Sequence, residues 1–331
     1  MDYEEAIALV AKMTIVRTLI VVASVCQWKI SQMDVKDTFL NGDLHEEVYM
    51  MPPPGVPRHL GEVYKLHNAF YGLKQGPHAW FEKFSMEITS LTFFLVTMIR
   101  HDHNSIESLK SELAHSLSMK DLDILRYFLG IEVDYSPKGY LLSQSKYITD
   151  LFEHARLTNN RIVDTPLKTN AKYSSSDAFL WRILVFIVPL LAYLTVIRPN
   201  IAHAVHVVSQ FVTAPITVHW AIFLRILMYL RGTQFHSLLF PSTSSLELCT
   251  YSDADWASDP TDRKSTIRYC IFLYDSLISW KSKKQDVISR SSIEAEYHAI
   301  ALTTYEIVWL GWLLTDMGIS ITHPTLLHCD N

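Results

Sequence analysis

Three carboxylates near the C-terminal end of the 331-residue chain stand where an acid can do chemistry. Asp253 closes a run in which Leu246, Leu248 and Thr250 alternate with Glu247, Cys249 and Tyr251, the period of two expected of a strand with unlike faces. Glu296 falls about one turn into a helix whose start is marked by Ser291 and Glu294, at the three-residue spacing of a capping box. It shares a face there with Ala299, Ile300 and Thr303, so it should point inward. An unpaired buried charge is costly, and something positive is expected to meet it. Asp330 ends an apolar run over 324–329 that reads as a further strand. The three acids are 43 and 34 positions apart, so only folding can gather them.

The elements that must position them are legible in outline. Residues 267–273 and 277–280 read as two strands joined by a tight turn at Tyr274-Asp275-Ser276, ahead of Lys281, Lys283 and Lys284. Far upstream, 6–26 has the apolar spacing of a helix, and 29–35 alternates and ends on an acid, Asp34. The segment that follows is expected to turn at Asn41-Gly42, where both residues tolerate positive φ. Residues 131–135 and 140–142 read as a hairpin about a turn at 136–139, with a helix over 145–157. A polar stretch over 164–177 reads as a linker, and 179–231 as a helical block closed by Gly232-Thr233.

A hydrophobic content of 49% excludes a disordered chain. The net charge of −5 gives no global pull on nucleic acid, so such a partner would need local patches: Arg263-Lys264, 281–284 and Arg290. Cys26, Cys249, Cys270 and Cys329 form no CxxC pair, which argues against a disulfide framework or a zinc site and makes a reducing, intracellular compartment the expectation. The N-terminus carries three acids and lacks the basic start of a secretory signal. Residues 179–197 approach the length of a membrane span, but Arg182 and Pro189 lie inside, and a buried core helix is expected. His101-Asp102-His103 reads as a loop, and His203 and His206 as packing or surface residues.

Several stretches carry a family resemblance. YSDADWASDPTDRKST, LISWKSKKQ, SRSSIEAEYHAIA and the terminal CDN resemble the signatures of the ribonuclease H domain of copia-type retrotransposon polyproteins. MDVKDTFLNGDLHEEVYM and YKLHNAFYGLKQGPHAWFEKF are similar to the palm of the reverse transcriptase in the same polyproteins. The resemblance implies Mg²⁺ sites that activate water and stabilise the leaving oxygen. It maps Asp253, Glu296 and Asp330 onto three of four nuclease metal-binding acids, with Asp255 as the second choice for the first and the fourth expected beyond Asn331. It also maps Asp34 onto the first metal-binding aspartate of the polymerase. A palm needs a Tyr-x-Asp-Asp hairpin beside that residue, and residues 90–113 hold no adjacent pair of aspartates, only Asp102 nearby. Arg268 and Tyr274 stand where the family usually has glycine.

The expected architecture is mixed α/β (α+β): a truncated reverse transcriptase palm over 1–163, a linker and helical thumb or connection over 164–241, and an incomplete ribonuclease H-like domain over 242–331. The expected function is that of a fragment of a copia-type reverse transcriptase/ribonuclease H, polymerase-inactive, with a non-catalytic remnant of weak nucleic-acid binding as the alternative. Its implied partner is an RNA–DNA hybrid or template-primer, with Mg²⁺ as the metal, no membrane and no small-molecule cofactor.

Overall fold

The computed structural model describes residues 12–52, 55–56, 61–98, 103–155, 161–167, 188–212, 217–258, 262–321 and 323–329. Asp330 and Asp102 lie outside the described residues, as do most of the polar stretch over 164–177 and residues 179–187. The described residues pack as two compact units, one within 30–125, the other within 12–29 and 126–329. This division by packing cuts the polypeptide elsewhere than the division by sequence pattern. Helix α1 (Met13–Val25) opens the described chain and belongs to the second unit.

In the first unit, strand β1 (Ser31–Val35) carries Asp34, and β2 (Asp43–Met50) pairs antiparallel with β3 (Tyr64–Asn68). Helices α2 (Gly76–Met98) and α3 (His103–Ser116) follow, and β4 (Met119–Ile124) returns to pair antiparallel with β1. A small core of Leu113 and Leu117 gathers Met33, Trp80, Phe84, Ile88, Leu109 and Met119. The turn after β1 differs from expectation. Asp37 supplies the left-handed residue, at φ +51°, before a 3-10 turn over Thr38–Asn41. Asn41 donates from Nδ2 to the Lys36 carbonyl at 2.9 Å, and Gly42 is extended at φ −79°. Gly42 is needed for closeness instead: a Cβ there would lie 2.7 Å from the Trp80 backbone nitrogen, so its bareness lets α2 approach.

The second unit holds two four-stranded sheets. In the first, β5 (Tyr127–Phe128), β6 (Ile131–Ser136), β7 (Gly139–Ser143) and β8 (Leu238–Pro241) lie in that order, all antiparallel. The hairpin of β6 and β7 matches the expected one. Strand β8 is absent from the sequence reading, because Leu238–Pro241 neither alternates nor exceeds four residues. It closes on β7 so tightly that a Cβ on Gly139, at φ +126°, would stand 2.0 Å from the Phe240 carbonyl oxygen. The helices α4 (Ser145–Ala155), α5 (Pro199–Ser209) and α6 (Thr217–Gly232) share a core of Ile148, Leu151, Leu191, Leu194, Phe223 and Leu230. The described end of the 179–197 stretch is helical only over 188–194, and no helix among the described residues is long and apolar enough to cross a membrane.

The second sheet runs β11 (Ser276–Lys284), β10 (Thr266–Leu273), β9 (Leu248–Asp255) and β12 (Leu326–His328), with β12 parallel to β9 and the rest antiparallel. Helix α7 (Ser292–Asp316) lies on it, packing Ala295 and Ala299 against Ala254 and Ile267. Its N-cap is Ser291, whose Oγ accepts from the Glu294 amide at 3.2 Å. The Glu294 carboxylate reaches the amide of Arg290 at 2.6 Å, one residue earlier than a capping box requires. Helix α1 packs into this same unit: Ser24 Oγ donates to the Phe240 carbonyl at 2.6 Å. The whole is a mixed α/β architecture, as the sequence implies.

Candidate active site

Strand β9 presents two faces of opposite character. Leu248, Thr250, Ser252 and Ala254 are buried beneath α7, while Cys249, Tyr251, Asp253 and Asp255 alternate onto the other face. The register pairs Arg268 with Asp253 and Thr266 with Asp255 across β10, so these side chains share one side of the sheet. The Arg268 guanidinium bridges both acids, with Nη2 at 2.8 Å from Asp255 Oδ2 and Nη1 at 3.3 Å from Asp253 Oδ2. Asp255 Oδ1 is occupied too, accepting the Thr266 amide at 2.6 Å.

Glu296 comes to the same end of β9 from the α7 side. It is only 7% exposed, as its place among Ala299 and Thr303 implies. No cation meets it among the described residues. Instead Oε1 accepts the Ala254 amide at 3.0 Å, and Oε2 is buried with no hydrogen-bond partner among the described residues. Among the described residues β12 pairs as far as His328 opposite Tyr251, short of Ala254, whose amide turns to Glu296. Glu296 therefore touches main chain one residue from Asp253, whose own carboxylate is turned to the opposite face.

Neighbouring groups fix this arrangement. Trp256 Nε1 donates to the Ser289 carbonyl at 3.0 Å, and Ser289 Oγ donates to Gln285 Oε1 at 2.6 Å. Gln285 Nε2 in turn donates to the Ala295 carbonyl at 2.9 Å, tying the loop before α7 to its first turn. A cavity of about 370 Å³ opens on the acid face, lined by Tyr251, Asp253, Arg268, Cys270, His328 and Cys329. Tyr251 and His328 stack there with ring centres 5.0 Å apart. On the far side of Asp255, burial holds His203 below the ordinary imidazole range; Arg268 and His206 add to the effect and Asp255 opposes it.

Asp34 belongs to the other unit and sits exposed on β1. Its partner across the ladder is Lys120 on β4. The acids of β4 do not join it. Asp121 pairs with Met33 on the alternate register, accepts the Asp123 amide at 2.9 Å and forms an ion pair with Lys110 at 3.0 Å. Lys110, first of all through its hydrogen bond, draws the Asp121 carboxyl below the usual carboxylate range. Among the described residues no group of three or more His, Cys, Asp or Glu side chains is arranged to hold a metal ion.

As placed, the described acids do not by themselves form a Mg²⁺ cage. Asp253 and its alternative Asp255 carry a guanidinium where a cation would bind, and Glu296 faces a backbone amide; Asp330 lies outside the described residues. Spacing alone could not reveal the pairing of Arg268 with both aspartates, since it depends on the β9–β10 register; the one available signal was a charged residue at a glycine position. Lys120 opposite Asp34 had no such signal.

Comparison with known families makes the class definite. The chain belongs to the reverse transcriptase (RNA-dependent DNA polymerase) family, whose model matches residues 1–101 and 94–169. It is 36% identical over 364 residues to the retrovirus-related Pol polyprotein from transposon RE2 of Arabidopsis thaliana, covering 100% of this chain and 25% of that protein. The Pol polyprotein from transposon TNT 1-94 of Nicotiana tabacum is 33% identical, over 100% of this chain and 28% of its own length. An uncharacterised mitochondrial protein of Arabidopsis thaliana is 38% identical over 60% of this chain and 83% of itself. The chain thus spans about a quarter of the length of the polyproteins it matches.

Proposed function

We propose that this chain is the palm-to-ribonuclease H stretch of a copia-type polyprotein in a form that engages nucleic acid without turning it over. The observation that carries this reading is Arg268, whose guanidinium reaches Asp253 and Asp255 together. A two-metal nuclease needs those oxygens free for Mg²⁺. An arginine keeps its charge at any physiological pH and cannot be displaced as water is.

Two features support the loss of polymerisation. Asp34 has a lysine across the ladder where the hairpin acids are needed. The family model also matches in two pieces that meet at residues 94–101, the stretch in which the Tyr-x-Asp-Asp hairpin is missing. With one carboxylate left, the phosphates of an incoming nucleotide and two Mg²⁺ ions have no cage. Nucleic acid remains the partner that the family implies, held by local cations such as Lys281 and Arg290 against a net charge of −5.

The test is cleavage of a labelled RNA–DNA hybrid in Mg²⁺, with primer extension alongside. The natural chain is expected to do neither. Arg268→Gly is expected to raise affinity for Mn²⁺, followed by electron paramagnetic resonance, by about tenfold or more, since one competing charge is removed at contact distance. Hybrid cleavage by the natural chain that Glu296→Gln abolishes would overturn the proposal. It would favour the second reading, residual ribonuclease H activity, for which the buried unpartnered Oε2 of Glu296 speaks.

A further inference from the structure

Among the described residues of the second unit, Arg17 on α1 is a buried charge with little compensation. It is 5% exposed, and no carboxylate among the described residues stands within ion-pairing distance. Its guanidinium lies over the Trp280 ring, 3.7 Å from the centroid. Nη1 donates to the Val196 carbonyl at 2.8 Å, and Nη2 reaches Thr14 Oγ1 at 3.4 Å. Nε is buried without a partner among the described residues. Five N–H donors are thus served by two acceptors, one of them at a long distance. Glu306 acts on it from a distance and is linked to it by hydroxyls, Thr14 Oγ1 to Ser279 Oγ at 3.4 Å and Ser279 Oγ to Glu306 Oε1 at 3.4 Å.

This half-satisfied cation forms part of the wall of a cavity of about 310 Å³, which Trp280, Lys281, Ser282, His206, Ser209 and Thr195 also line. We propose that this cavity binds a phosphate group, with Arg17 as its principal donor. Since Nε is closed off from solvent, the Nη hydrogens left over after Val196 and Thr14 are the donors such an oxyanion would take, and a flat aromatic under the guanidinium holds the fork in one plane. The cavity is larger than a phosphate and leaves room for an organic portion against the indole. Two cations in the wall, Arg17 and Lys281, suit a dianionic monoester better than a singly charged carboxylate. Burial holds Arg17 at about 9, far below an ordinary arginine, with Tyr269 and then Glu306 offsetting part of the loss. A bound anion would remove that penalty.

The site lies apart from the acid face and stands whether or not the nuclease reading does. The experiment is calorimetric titration of the full chain with inorganic phosphate, adenosine 5′-monophosphate and adenosine, at ionic strength matched with chloride. Saturable binding is expected for phosphate or the monophosphate and none for adenosine. Tighter binding of the monophosphate assigns an organic ester as the source, and equal binding assigns the free anion. Arg17→Lys keeps the charge but loses the fork, and should weaken binding about tenfold. Because Arg17 also holds Val196, its folding is checked by circular dichroism. If it fails to fold, Lys281→Ala on the exposed rim takes its place, with a loss of severalfold expected. No saturable binding of either phosphate, or binding unchanged in whichever variant folds, would overturn the proposal.

Discussion

Arg268 and Glu296 make opposite points about what a single residue announces. The inward direction of Glu296 is readable from its helical neighbours, and the side chain is indeed buried. Among the described residues no cation meets it, and the end of β9 offers an amide instead, which no spacing argument could foresee. Glu296→Ala should therefore destabilise the chain by about 1–3 kcal/mol, as the Ala254 amide loses its acceptor. Glu296→Gln, which keeps an acceptor and sheds the charge, should cost less. Urea unfolding of the two variants measures the difference. Tyr269 gives a second prediction at this scale. Burial first, then Glu306, pushes its phenol up to about 12 from an ordinary 10. The unfolded chain ionises first, so the stabilisation is whole below pH 10 and is lost as pH rises through 12. The loss is at most about 2–3 kcal/mol. Tyr269→Phe should flatten the fall in melting temperature between pH 9.5 and 11.5.

At the scale of elements, the sequence was readable where a local rule suffices. Strands β6, β7, β9, β10 and β11 follow their alternation, and α7 begins at its Ser291 cap. It was opaque where packing decides. The turn after β1 uses Asp37 and spends Gly42 on the approach of α2, and β8 exists only because β7 has room for it. The β10–β11 turn holds Tyr274 at φ +52°, a conformation that costs an L side chain roughly 1–2 kcal/mol. Tyr274 is 52% exposed and loses little burial on truncation, so Tyr274→Gly should stabilise the fold by about 1 kcal/mol in thermal unfolding. Gly139→Ala should do the reverse by more than about 2 kcal/mol, since the added methyl meets the Phe240 carbonyl.

For the molecule as a whole, the same helical layer that excludes water sets an acid limit. Burial holds His203, His206 and His219 below the ordinary imidazole range, with Arg268 and His206 adding at His203 and Lys284 adding at His206. A depressed imidazole takes its proton first in the unfolded chain. The stability it permits is present above pH 6.5 and falls as pH drops below that value. Melting temperatures from pH 7.5 to 5 should decline, and the combined replacement of His203 and His206 by Gln should shallow the slope. The family was legible from motifs spread along the chain, whereas the state of its acids was not. Motifs record which residues are present, and the register records which neighbour each one meets.

Helix α1 has a consequence in time. Its hydroxyl partner at Ser279 lies 265 residues downstream. At about 5–20 residues per second, a ribosome needs roughly ten seconds to a minute to deliver that partner. Helix α1, which buries Ile20, Val21 and Val22, gains its native neighbours in stages over that interval, β7 first, then β8 and last β11. A nascent chain of this kind should recruit chaperones early and shed them in steps as those strands emerge, and a ribosome stalled before β7 would leave α1 sticky.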